Sequence, residues 1–131
     1  MGAVARDRWS RVVIGALGLA LTSAIVATAS GVLAHAFVSR SEPRTGATIV
    51  ESPPQVRIWF DGPIEPLFAK IYVEDRDKRR VDKGDGRVNL NDNRLLEVGL
   101  PPLPPGRYRV FWSVIARDGH PREGDFSFLL R

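Results

Sequence analysis

Two histidines and no cysteine occur in the 131 residues, so chemistry beyond packing must come from imidazole, amine, hydroxyl and carboxylate groups. His120 stands in the run Asp118-Gly119-His120-Pro121, with a carboxylate and an imidazole two positions apart. His35 follows the apolar N-terminal stretch. If the chain is cut after Ala34, His35 becomes the first residue, and its free α-amine and Nδ1 can chelate one metal ion together. The α-amine has a pKa of about 7.7 to 8.0, far below that of a lysine, so a metal displaces its proton at low cost near neutral pH. With Asp118 and His120 this makes a sulfur-free set of two imidazoles, an amine and a carboxylate. Such a set suits tetragonal Cu(II), which heads the affinity order of the divalent first-row metals. Zn(II) takes the same donors in tetrahedral geometry, so residue types alone leave both open. Cu(I) is disfavoured, because Met1 is the single methionine and no thiolate exists. Taken singly, each histidine has an ordinary reading, since Asp-Gly is a common turn dipeptide and a histidine in a turn is a common surface residue.

The rest of the sequence must supply elements that hold these groups together. Arg6, Arg8 and Arg11 precede a run from Val12 to Leu33 without a charged residue, the pattern of an export signal. Three small-x-small cut sites are visible: Ala27-Thr28-Ala29, Val32-Leu33-Ala34 and Ala34-His35-Ala36. They leave Ser30, His35 or Phe37 as the first mature residue. No Arg-Arg pair precedes the apolar run, which favours the general secretory route over twin-arginine export. About 22 uncharged residues could also span a bilayer as an uncleaved anchor, but interspersed Gly, Ser and Thr weaken that reading. The expected division is a signal peptide over 1–34 and a domain of 97 residues over 35–131, exported to the periplasm.

Three of the 19 Lys and Arg and one of the 15 acids lie in the leader, so the mature domain keeps 16 and 14, a net charge of +2. That balance, with charges alternating in sign, argues against a nucleic-acid partner. The basic cluster Lys78 to Arg80 follows Glu74, Asp75 and Asp77 and reads as a solvated hairpin face.

All ten prolines lie beyond the leader, and no segment there keeps a helical period. The alternating runs predict strands over Gln55 to Phe60, Ala69 to Glu74, weakly Arg87 to Leu90, Leu95 to Leu100, Arg107 to Ala116, and Asp125 to Leu130. The longest puts Tyr108, Val110, Trp112, Val114 and Ala116 on one face. Pro101 to Gly106 predicts a rigid extended linker. About seven short strands with turn signals roughly every ten residues describe an all-β, Ig-like Greek-key β-sandwich. The last two strands should form a hairpin around the loop Arg117 to Glu123, and Trp59 and Trp112 should be packing residues. There is no Ser/His/Asp order, phosphate-cradling glycine loop or HExxH motif, so no catalytic residue is assigned and the chain is not expected to be an enzyme.

The pieces Ala34-His35-Ala36, Ser41-Glu42-Pro43-Arg44-Thr45-Gly46, Pro53 to Phe60, Leu103-Pro104-Pro105-Gly106-Arg107-Tyr108-Arg109-Val110, Trp112, Asp118-Gly119-His120-Pro121 and Gly124 to Phe128 occur in an order that resembles the CopC copper-resistance proteins. The resemblance covers essentially the whole domain after the leader. It implies a periplasmic Ig-like sandwich, expected to be a monomer, that binds copper and takes part in copper tolerance or uptake, often beside a CopD-type inner-membrane protein. In that family Cu(II) is held by the mature N-terminal histidine and by the Asp and His of the Asp-Gly-His loop, which match His35, Asp118 and His120. The methionine-rich Cu(I) site of some members has no equivalent here. Ala116-Arg117 stands where a small pair such as Ser-Ala is more usual.

Glu42, Glu123 and Asp125 are further candidates to orient an imidazole by hydrogen bonding, or else are surface charges. Two other functions fit parts of the pattern. A histidine brace built on an N-terminal His serves copper monooxygenases, which need a broad substrate face and usually more chain. A metal-free adhesion or assembly module would use the same sandwich without either histidine.

Overall fold

The computed structural model describes residues 37–131; the expected signal peptide, its candidate cut sites and His35 lie outside the described residues. The described chain is all-β apart from one 3₁₀ turn at Pro66–Phe68. The strands are β1 (Val38–Glu42), β2 (Thr48–Ile49), β3 (Gln55–Phe60), β4 (Lys70–Glu74), β5 (Arg87–Asn89), β6 (Asp92–Gly99), β7 (Gly106–Ile115) and β8 (Pro121–Leu130). Two four-stranded sheets result, ordered β1-β3-β6-β5 and β2-β8-β7-β4. Every pairing is antiparallel except β2 with β8. The chain passes repeatedly from one sheet to the other and keeps only β5–β6 and β7–β8 as hairpins, so the expected sandwich is present.

Alternation decides which side chains enter the core. Val56, Ile58 and Phe60 of β3 face Leu96 and Val98 of β6 within one layer, and Tyr108, Val110, Val114, Phe126 and Phe128 of β7 and β8 supply the other. All are buried. The core lies wholly within residues 56–130. Trp112 packs against it, edge-on to Phe60 with ring centroids 5.2 Å apart. A side chain at Gly124, the residue opposite Trp112, would bring a Cβ to 2.7 Å from the indole, so glycine is what lets the ring lie across β8. Trp59 is different: it sits on the outer face of its sheet, under the guanidinium groups of Arg40 at 3.7 Å and Arg57 at 4.6 Å. The period of two sends Trp59 outward when Ile58 and Phe60 go in.

The structure departs from the expectation in two places. There are eight strands, because β1 and β2 are polar or very short and carry little alternation of their own; their partners make them strands. β8 begins at Pro121, four residues before the expected start, since Pro121, Arg122, Glu123 and Gly124 pair in register with Ile115, Val114, Ser113 and Trp112. The Lys78 to Arg80 cluster is exposed, as expected, on the returning arm of a tight antiparallel turn. It belongs to a long connection folded back on β4 by a Glu74–Arg80 bridge, with Asp75 capping the tight turn at the backbone N–H groups of Asp77 and Arg79. At the far end of the sandwich Leu103 donates its N–H to Ser52 Oγ, and the Tyr108 hydroxyl donates to Pro104 O, the corner that ties the proline-rich linker to β7. Burial pushes the Tyr108 phenol above its ordinary pKa.

Candidate metal-binding loop

The β7–β8 hairpin leaves only residues 116–120 to reverse the chain, so the acid and the imidazole are held within one turn. Ala116 N–H donates to His120 O at 3.0 Å and Gly119 N–H to Ala116 O at 2.8 Å. Gly119 has φ 87°, a left-handed conformation that a side chain at this position would strain. The Asp118 carboxylate then works on His120 with both oxygens. Oδ1 accepts the His120 backbone N–H at 3.0 Å, and Oδ2 lies 3.1 Å from the imidazole Nδ1. Asp118 is largely sheltered, its side chain 15% exposed, whereas the ring of His120 is 53% exposed. A sheltered carboxylate thus lies beside an accessible imidazole.

A second set of contacts ties this loop to the start of the domain. Ile64 bridges Ala116, Glu65 N–H donates to Ile115 O at 2.8 Å, and Arg117 N–H donates to Pro63 O at 3.2 Å. The same segment holds residue 37: Asp61 Oδ1 accepts the Phe37 N–H at 2.6 Å, and Asp61 N–H donates to Phe37 O at 2.8 Å. The Arg122 guanidinium lies 5.5 Å from the centroid of the Phe37 ring. The segment 61–65 is therefore a strut between the chain's entry into β1 and the Asp118–His120 turn. In sequence, Asp61-Gly62-Pro63 is no more than a turn signal that bounds β3. The contact from Asp61 to Phe37 spans 24 residues, and nothing local announces it.

Of the candidates, the structure brings Asp118 and His120 together, while His35 lies outside the described residues. Among the described residues no three His, Asp or Glu side chains converge as a metal centre. The further candidates point elsewhere. Asp125 pairs with Arg109 at 2.7 Å, which holds its carboxyl below and the guanidinium above their ordinary pKa values through the shared hydrogen bond. Glu42 lies 3.7 Å from Arg57 at the other end of the sandwich. Glu123 is exposed opposite Ser113. Phe126 and Phe128 face the core, so Glu123 and Asp125 alternate to the outer face, away from the turn.

An Ig-like two-sheet sandwich with an Asp-Gly-His turn on its last hairpin, strapped to the entry into β1, defines a class of small β-domain. The CopC domain model matches residues 38–131, and the chain belongs to the CopC family. It is 32% identical over 96 residues to Copper transport protein CutJ of Bacillus subtilis (strain 168), covering 72% of this chain and 18% of CutJ, so it spans under a fifth of that relative's length. It is 27% identical over 114 residues to Protein YobA of Escherichia coli (strain K12), covering 86% of this chain and 91% of YobA. Among solved structures it is similar to CopC from Methylosinus trichosporium OB3b, with a TM-score of 0.65 and 29% identity over 73% of this chain and 93% of that one. PcoC of Escherichia coli, at 23% identity and a TM-score of 0.64 over 75% and 100% of the two chains, shares the fold.

Proposed function

We propose that this protein is an exported carrier of Cu(II), working in the periplasm in copper resistance or homeostasis. In this reading residues 1–34 are removed as a signal peptide on the general secretory route, and the monomeric domain 35–131 binds the ion and passes it to an inner-membrane partner of the CopD type. His35 contributes its α-amine and Nδ1, His120 an imidazole nitrogen and Asp118 a carboxylate, and copper is the cargo of a domain that makes and breaks no covalent bond.

One observation carries the proposal: the strut 61–65 holds Phe37 at the same end of the sandwich as the Asp118–His120 turn. His35 is two residues upstream of Phe37, an extended reach of about 7 Å. The donor chemistry fits, since the groups are nitrogen and oxygen without sulfur, the set that Cu(II) prefers. With Asp118 Oδ2 facing Nδ1, Nε2 is the His120 nitrogen that takes the ion, and Asp118 acts first by fixing the ring. Membership of the CopC family and the copper in the name of CutJ support the metal.

The rigid turn limits rearrangement on binding, and the exposed ring leaves the ion accessible to a recipient. The intact mass of the exported protein, followed by electron paramagnetic resonance of its Cu(II) form, tests the reading. A mass beginning at His35 and hyperfine coupling to nitrogen are expected. A mass beginning at Phe37 or the absence of nitrogen coupling would overturn it.

A further inference from the structure

β1 is the outermost strand of its sheet, paired with β3 and with no strand on its other side among the described residues. Beside it lies a cavity of about 510 Å³ lined by Val38, Ser39, Arg40, Ser41, Arg44 and Thr45. Two of these six residues are cations, three carry hydroxyls, and none is an acid. A cavity of about 590 Å³ on the outer face of the other sheet makes the contrast. Arg76, Lys78, Arg107 and Arg109 line it, but so do Glu74, Asp75 and Asp125, and Asp125 pairs with Arg109. There the charges are compensated; beside β1 they are not. The ion pairs among the described residues involve neither Arg40 nor Arg44. The acids beside β1 are engaged elsewhere, Glu42 with Arg57 at 3.7 Å and Asp61 with the Phe37 N–H.

We propose that this cavity binds a phosphate group, as the free ion or as a monoester, between Arg40 and Arg44. Both cations are held in place before a ligand arrives. The Arg40 guanidinium lies 3.7 Å from the centroid of the Trp59 ring, so the indole covers one face of the planar group and leaves its N–H edge for an anion. Arg44 stands on a turn fixed at both ends, where Ala47 N–H donates to Arg44 O at 3.0 Å and Gly46 N–H to Ser127 O at 2.7 Å. Ser41 is an independent sign of a ligand. It is 7% exposed, opposite Ile58 in the register, and its hydroxyl makes no hydrogen bond to another described residue. Buried hydroxyls normally have a partner, and this one lines the cavity. Ser39 is already spent, donating its hydroxyl to Trp59 O. A phosphate monoester carries about −1.5 to −2 charges at pH 7, which two guanidinium groups neutralise, and its oxygens accept from their planar forks and from the Ser41 and Thr45 hydroxyls. A monocarboxylate would occupy one fork and leave the other cation uncompensated. The cavity has room for a phosphate and the group esterified to it. The inference goes beyond the copper reading and does not rest on it.

The test titrates the copper-free protein with sodium phosphate, glycerol 3-phosphate and sodium acetate at constant ionic strength, followed by calorimetry and by amide chemical shifts. Saturable one-to-one binding of a phosphate is expected, with a dissociation constant of about 1 mM or below and shifts centred on Arg40, Ser41, Arg44 and Thr45. Equal binding of the ion and the ester assigns the site to the phosphate alone, and tighter binding of the ester shows that the cavity also holds the esterified group. Arg44→Gln, on an exposed turn, should weaken binding about tenfold, Arg40→Gln by a similar factor, and Ser41→Ala about threefold. Arg107→Gln, in the compensated cavity, should leave binding unchanged. Each variant should keep a cooperative thermal melt. No saturation with either phosphate, acetate binding as tightly as phosphate, shifts centred on Arg76 or Arg107, or equal loss in Arg107→Gln would overturn the proposal.

Discussion

Asp82 and Asp118 each anchor a polar connection, and they spend their carboxylates differently. Asp82 lies in the long connection between β4 and β5, its side chain fully shielded from solvent. It accepts the backbone N–H of Val73 at 2.9 Å and of Gly84 at 2.8 Å, and Arg80 donates to both of its oxygens. Burial alone would raise its pKa, but the hydrogen bond from Arg80, then those from Val73 and Gly84, override that and hold it below the ordinary carboxylate range. All the partners of Asp82 are close in sequence or on the adjoining strand, and they close the loop on itself. Asp118 accepts the His120 backbone N–H with Oδ1 and sets Oδ2 beside the imidazole of the same residue, on a turn that the strut 61–65 supports from outside. A carboxylate saturated by its own loop stabilises the fold; one beside an exposed ring is placed as the proposed copper site requires.

Substitutions should separate the two roles. The largest effect expected is on metal binding: His120→Ala should weaken Cu(II) affinity by about a hundredfold or more in a competition titration, with thermal stability nearly unchanged. An affinity equal to wild type would remove the loop from the site. Next comes Asp82→Ala, which leaves the Val73 and Gly84 N–H groups and Arg80 without their acceptor and should cost about 2–3 kcal/mol in denaturant unfolding. Its Cu(II) titration should not move.

Acid titration of stability sharpens the same contrast. Because Asp82 is held below its unfolded pKa of about 3.9, its contribution is full above that value and is lost as pH falls through the folded pKa. Unfolding free energy should therefore drop below about pH 4, and less steeply in Asp82→Asn.

Asp118→Asn comes after these. It keeps an acceptor for the His120 N–H but removes the charge beside Nδ1, and should weaken Cu(II) about tenfold or more with little change in melting temperature. A loss of stability as large as that of Asp82→Ala would erase the distinction between the two acids. The smallest effect expected is that of Arg109→Ala. The Arg109–Asp125 pair is exposed and screened, so both the melting midpoint, within about 2 °C, and the copper titration should stay where they are.

The central strands were legible because Gln55–Phe60, Lys70–Glu74 and Gly106–Ile115 alternate strongly and are bounded by Pro and Gly. β1 was not, since Val38-Ser39-Arg40-Ser41-Glu42 carries one apolar residue and only its pairing to β3 makes it a strand. Asp118 and His120 were legible as a pair from their spacing in a Gly-containing turn. The strut was not, because Asp61 meets Phe37 and Pro63 meets Arg117 across distances that no window of sequence contains.

By itself, the order of residues determined the kinds of donor available, the absence of sulfur ligands, the strand period and the turn that sets a carboxylate two positions from an imidazole. These are local consequences of side-chain chemistry and of backbone geometry over a few residues. Tertiary structure decided which acids serve the fold and which faces the ring, where Phe37 lies relative to the last hairpin, and that Arg40 and Arg44 line one cavity without an acid. Those are outcomes of how two sheets stack and in which register, and contacts between distant segments come into being only once that packing exists.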